Sequence, residues 1–180
     1  MLTEHLTEPE LAFGGAPHID IRYGIMAHGP RDINSNTRPA RIRVGIIGTP
    51  ECIEGVTTWL ERCRNEIPAK PSNQPHLFPR FPGCNDQEGL RTNLVLDATL
   101  QRSISARAIQ RLTNTNPNAF VTAAVALFME EIDALKDKPV DTIVVAIPNP
   151  LMATTPADES ADEPQPMPST RFDLHHLLKA

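Results

Sequence analysis

Two side chains near the carboxyl terminus, His175 and Lys179, combine types and spacing suited to holding an anion. They stand in FDLHHLLKA (172–180), where Asp173 is a candidate helix cap and Leu174, Leu177 and Leu178 recur at helical spacing. Four residues apart on a helix, they lie about 40° from alignment, so both can reach one ligand. Lysine supplies a compact positive charge, and histidine an N–H donor that charges near neutral pH. Set beside a helix N-terminus, such a pair suits a terminal phosphate. The same spacing also fits a solvated helix face, the commoner state of such a pair. The adjacent His175 and His176 diverge by about 100° and do not converge easily on one metal ion.

Other chemistry is less well supported. VGIIGTPECIEG invites a dinucleotide reading, but Gly45-Ile46-Ile47-Gly48 lacks the paired glycines of GxGxxG. Pro50 and the Glu51 carboxylate also discourage a pyrophosphate there. Glu66 follows about 20 residues on, inside a predicted helix and not at a strand end where it could hold a ribose. Glycines that ease strand-to-helix packing explain the motif better. Asp97 at a predicted strand end is a candidate catalytic carboxylate or a turn cap. There is no GxSxG elbow, and Cys63 falls on a predicted apolar stripe. The three cysteines, Cys52, Cys63 and Cys84, lack ligand spacing. Cys52 and Cys63, roughly 16 Å apart along one helix, cannot pair. Reduced thiols in a cytoplasm are the simple expectation.

The elements that must position these residues follow from pattern. The 180 residues suffice for one domain with an extension, but 18 prolines mean that much of the chain is loop. Aromatic residues make up 4%, too few for a base-stacking platform. No apolar run approaches the roughly 20 residues of a membrane span, and the acidic start MLTEHLTEPE is unlike a signal peptide. Net charge is −5; setting aside Asp158, Glu159, Asp162 and Glu163, 18 acidic residues face 17 basic ones, a balance of −1. Any contact with a polyanion must therefore be local.

Residues 1–40 alternate short apolar pieces with Gly and Pro and are expected as an extended arm or linker. RIRVGIIGT (41–49) is a β-branched strand. Thr49 then caps a helix with Pro50 at its first position and Ile53, Val56, Leu60, Cys63 and Ile67 on one stripe. A proline-rich loop over 68–90 precedes a second strand at 92–97, a short helix around SARAIQRL, and a longer one after Asn116 whose beginning is expected to be deeply buried. A third strand at 141–148 leads into an acidic, proline-rich, flexible loop (about 149–170) and the final helix start. This β-α-β-α-α-β-α order predicts an α/β, Rossmann-like domain over 41–180, with a parallel sheet flanked by helices. Ligands of such sheets sit at the carboxyl ends of the strands.

Three stretches carry a resemblance. LAFGGAPHIDIRYGIMAHGP contains Asp20-Ile21-Arg22-Tyr23-Gly24-Ile25 and a Gly-Pro; IRVGIIGTPECIEGVTTWLERC is followed by PHLFPRFPG; and a strand ending in Ile147-Pro148 precedes a variable loop and FDLHHLLKA. In this order, over nearly the whole chain, they resemble the MID region of short prokaryotic Argonautes. Ile21 departs from the proline of that family's Asp-Pro-Arg-x-Gly-Leu pattern. The resemblance implies a pocket for the 5′ end of a guide strand. The family's first pocket residue, tyrosine or histidine, falls on His175, and its lysine four positions later on Lys179. The loop 149–170 would face the guide's first base, although its length and acidity depart from a standard base-reading role. The pocket's further glutamine and second lysine would lie beyond Ala180, as would a PIWI domain, so the chain is expected to be an incomplete, N-terminal portion of an Argonaute.

The resemblance further implies a catalytically inactive subunit in defence against invading nucleic acid. Its partners would be guide RNA or DNA, target nucleic acid and an APAZ-containing effector. No cofactor is expected within the chain, although a divalent cation at the guide 5′ end would belong to the completed pocket. Two alternatives stay open: a Rossmann-like nucleotide-binding enzyme using Gly45, Gly48 and Asp97, and an interaction protein whose 1–40 arm docks on a partner.

Overall fold

The computed structural model of the protein describes residues 8–113 and 117–152. These form two compact units: residues 8–42 with 58–95, and residues 43–57 with 96–152. His175, Lys179 and most of the expected 149–170 loop lie outside the described residues. Among the described residues, no helix is long and apolar enough to cross a membrane.

In the first unit, a short antiparallel pair, β1 (Leu11–Ala12) and β2 (Pro17–His18), precedes helix α1 (Ile21–His28). The helix corrects the extended course expected of this stretch, and its cause is Asp20. The Asp20 carboxylate accepts the backbone N–H groups of Arg22 at 2.8 Å and Tyr23 at 3.2 Å, satisfying donors that a helix start leaves open. Gly29, at φ 68°, ends the helix with its N–H donating to the Ile25 carbonyl at 3.0 Å. That left-handed conformation favours glycine.

Arg22 also donates to Asp20 through Nη2 at 2.8 Å, and chiefly this bond holds the Asp20 carboxyl down to about 2. A carboxylate with a lowered folded-state pKa stabilises above its ordinary value of 3.8, and that stabilisation is lost as pH falls toward 2. Asparagine keeps a capping oxygen but no charge. Asp20→Asn should therefore lower the melting temperature at pH 7, with the gap to the parent protein closing between pH 4 and pH 2. A gap that stays constant over that range would exclude the charge as its source.

The stretch 68–90 is the long loop expected, and isolated bonds tie it down. It contains a 3-10 turn, Pro75–Leu77, gripped by α1: Arg22 Nη1 donates to the Leu77 carbonyl at 2.8 Å and the Tyr23 hydroxyl to that of Pro75 at 3.2 Å. Ile67 and Phe81 exchange both backbone hydrogen bonds at 2.9 Å, and Cys84 N–H donates to the Cys63 carbonyl at 2.7 Å. Arg80 pairs with Glu66 at 3.1 Å and Glu88 at 2.6 Å. Prolines remove donors and forbid regular ladders, so isolated bonds hold this segment.

The three-stranded sheet of the second unit runs β4-β3-β5, with β3 (Arg41–Gly48) central, β4 (Asn93–Ser103) and β5 (Thr142–Val145). It is parallel, with Val44 opposite Thr142 and Ile47 opposite Val145 across β3 and β5. At its carboxyl end, Ile104 N–H donates to the Gly48 carbonyl at 2.8 Å and Ala146 N–H to that of Ile47 at 2.8 Å. Val44, Ile46 and Ile47 are buried, as a central strand of β-branched residues requires. Helices α2 (Pro50–Arg62), α3 (Ala106–Thr113), α4 (Pro117–Asp133) and the single turn α5 (Asn149–Met152) follow the strands. The mixed α/β architecture with a helix-flanked parallel sheet is thus the one its pattern predicts.

The core of this unit joins Ile47, Ile104, Ile109, Phe120, Ala124, Phe128, Leu135 and Leu151. On α4 the buried stripe is Phe120, Ala124 and Phe128, while Ala119, Thr122 and Ala126 are exposed. Its beginning is therefore buried along one face, not all round. β4 runs six residues past the expected end at 97. At the sheet edge, Asp97, Ala98 and Thr99 meet water, so the strand lacks the continuous apolar run by which it would be recognised.

Candidate functional site

The second unit carries a crevice of about 550 Å³ where the strands end. Its lining comes from three places: Thr49, Pro50 and Glu51 after β3; Ala106, Ile109 and Gln110 on α3; and Pro148 and Pro150 after β5. This is the carboxyl edge of the sheet, where open α/β sheets bind ligands.

Local sequence builds each wall. Thr49 caps α2, its Oγ1 accepting Cys52 N–H at 3.4 Å and its carbonyl accepting Ile53 N–H at 2.9 Å. Pro50 fits the first helical position because it has no N–H to satisfy. Ser105 caps α3 in the same way, its Oγ accepting Ala108 N–H at 3.2 Å. The Pro148 carbonyl accepts Leu151 N–H at 2.9 Å and starts α5, with Leu151 fully buried beneath it. The first turns of α2 and α3 therefore both border the crevice.

Gly45 and Gly48 do not line it. A Cβ on Gly45 would lie 3.0 Å from Leu135 Cδ1, and one on Gly48 would lie 2.9 Å from the Ala146 carbonyl oxygen and 3.3 Å from Cys52 Cβ. Both glycines permit close packing of strand against neighbour. Asp97, expected at a strand end, lies inside β4. Its carboxylate accepts Thr99 N–H and the Thr99 hydroxyl, each at 2.8 Å. These bonds hold the Asp97 carboxyl below its usual range, the backbone bond foremost. That is the geometry of a local turn clasp.

None of the cysteines is among the residues that line the crevice. Cys63 and Cys84 are buried in the first unit, and burial pushes both thiols up, away from the reactive thiolate. Among the described residues, no group of three His, Cys, Asp or Glu side chains could hold a metal. A divalent cation at the crevice would find one carboxylate among its described walls, Glu51, so these residues by themselves make no metal site.

His175 and Lys179 lie outside the described residues. Ala106, Ile109 and Gln110 lie on α3, the short helix expected around SARAIQRL, but were not expected to line a site; the Ser105 cap at the start of that helix is the sequence signal that points to them. No protein-family model matches the chain, and no curated protein matches it.

Proposed function

We propose that this chain is a guide-binding module of a short prokaryotic Argonaute, a MID-like domain that receives the 5′ end of a guide strand. The observation that carries this reading is the crevice at the carboxyl edge of the parallel sheet, bordered by the first turns of α2 and α3. Backbone N–H groups and the helix dipole make such edges receptive to nucleotide ends. The ordered resemblance of LAFGGAPHIDIRYGIMAHGP, the β3-α2 unit and FDLHHLLKA supports the same reading. In it, His175 and Lys179 contact the terminal phosphate. The chain itself is catalytically silent, and defence against invading nucleic acid requires an APAZ-containing effector that responds to guide-directed target recognition.

The test is guide affinity, measured by fluorescence anisotropy with 5′-phosphorylated and 5′-hydroxyl strands. Removing a charged partner of a phosphate should cost Lys179→Ala about tenfold or more on the phosphorylated strand and little on the hydroxyl strand. His175→Ala should act in the same direction. Affinity should also fall with added salt, as counterion release demands. Equal affinity of parent and Lys179→Ala for both strands would remove the lysine from this role.

A further inference from the structure

Cys63 and Cys84 stand on two segments of the first unit that the fold presses together. Cys63 follows the last turn of α2, and Cys84 follows Gly83 near the end of the proline-rich stretch. The Cys84 N–H donates to the Cys63 carbonyl at 2.7 Å. Beside it, the chain at Gly83 runs so close to Arg64 and Asn65 that an added Cβ would lie 2.9 Å from the backbone of each. Residues joined by a backbone hydrogen bond of this kind have Cα atoms roughly 5–6 Å apart, inside the window of about 4.4–6.8 Å that a disulfide spans. Both side chains are free thiols, each 7% exposed. Cys63 raises the Cys84 thiol beyond the effect of burial, so the two sulfurs are within electrostatic reach of each other. Cys52, the third cysteine, sits on the first turn of α2, roughly 16 Å from Cys63 along the helix.

We infer that Cys63 and Cys84 are a redox pair, which a low-molecular-weight disulfide such as oxidised glutathione converts into an intramolecular disulfide. The thiolate of one cysteine attacks a glutathione sulfur and releases one reduced glutathione. The thiolate of the other then attacks the mixed disulfide and releases the second. One S–S bond breaks and one forms; both protein sulfurs are oxidised, and their two protons leave with the two glutathione thiols. Burial keeps both cysteines in the thiol form in the folded chain, so the exchange proceeds when this region opens or while it folds. The product is a covalent ring of residues 63–84. It encloses the 3-10 turn Pro75–Leu77, whose carbonyls Arg22 and Tyr23 hold from α1. Oxidation thus fastens the segment that prolines leave without a regular ladder.

The experiment refolds the full chain from denaturant in a buffer of reduced and oxidised glutathione near about pH 8.5, the ordinary thiol value, then blocks remaining thiols and maps linked peptides by mass spectrometry. The parent should yield the Cys63–Cys84 linkage within one chain and keep Cys52 free. Its Tm should rise by about 5–10 °C over the reduced form and return on addition of dithiothreitol. Cys52→Ala should behave as the parent, whereas Cys63→Ala and Cys84→Ala should show no oxidant-dependent rise. Because the mapping is done on the parent, the result stands even if a variant fails to fold. Three free thiols after refolding, a linkage through Cys52, or a linkage between chains overturns the pairing. A Cys63–Cys84 bond that leaves Tm unchanged or lowers it overturns the fastening role.

Discussion

Phe128→Ala should lower the unfolding free energy by about 3–5 kcal/mol, the usual cost of deleting a buried phenylalanine. Phe128 is fully buried on α4, one turn beyond Ala124 and two beyond Phe120, and it packs in the cluster that joins β3 to α3, α4 and α5. The loss has two parts: the transfer free energy of the ring, and the cavity left where neighbours cannot collapse. Ile47, Leu135 and Leu151 sit in the same cluster and are themselves almost wholly inaccessible, so little rearrangement is available to fill the space. Typical domains hold about 5–15 kcal/mol in total, and such a loss should be visible as a large shift in the urea midpoint. Met129, the next residue, is 38% exposed. Met129→Ala should change stability by about 0.5 kcal/mol or less. Comparable shifts for the two variants would mean that α4 does not present the Phe120–Ala124–Phe128 stripe to the core.

Gly83→Ala should destabilise the first unit by about 2–4 kcal/mol, combining left-handed backbone strain with overpacking. Gly83 has φ 91°, a conformation that L side chains rarely adopt. An added Cβ would also lie 2.9 Å from both the Arg64 carbonyl oxygen and the Asn65 carbonyl carbon. These are backbone atoms and cannot swing aside as a flexible side chain would. Relief requires the strand-like contact between 63–67 and 81–84 to open, at the expense of the Ile67–Phe81 and Cys84–Cys63 hydrogen bonds. Hydrogen exchange reports this directly: the Ile67, Phe81 and Cys84 amides should lose protection, while those of β3 and β5 keep it. A variant with unchanged protection at those three amides would contradict the close approach. Gly55, with nothing within 4 Å of its added Cβ, provides the contrast. Gly55→Ala on α2 should stabilise slightly, because alanine is the better helix former.

Such pairs of neighbouring positions show where local sequence suffices and where it does not. The β3-turn-α2 unit was legible because each signal is local: a β-branched run, a threonine cap, a proline at the first helical position and an apolar stripe at helical spacing. The order of strands and helices followed for the same reason, and with it the parallel sheet and the edge at which a site should be sought. Asp20 carried a readable capping signal too, but Gly24, the preceding Gly14-Gly15 and the following Gly29-Pro30 masked the helix it begins. Gly24 is tolerated there because the Phe13 ring lies where its Cβ would stand.

Other features depend on partners distant in sequence. β4 continues past Asp97 because pairing with β3 sustains it, although its exposed residues carry no strand-like apolar run. The proline-rich segment is ordered by Arg22 and Tyr23, more than 50 residues away, acting on carbonyl groups that any residue type would supply. The crevice is likewise assembled from 49–51, 106–110 and 148–150, and no spacing rule links those numbers. By itself the sequence determined the alternation of elements, since hydrophobic period and capping act within a few residues. Tertiary structure alone decided which turns meet at the sheet edge and that Glu51 faces a shared crevice, because strand pairing and burial bring together residues that the chain keeps far apart.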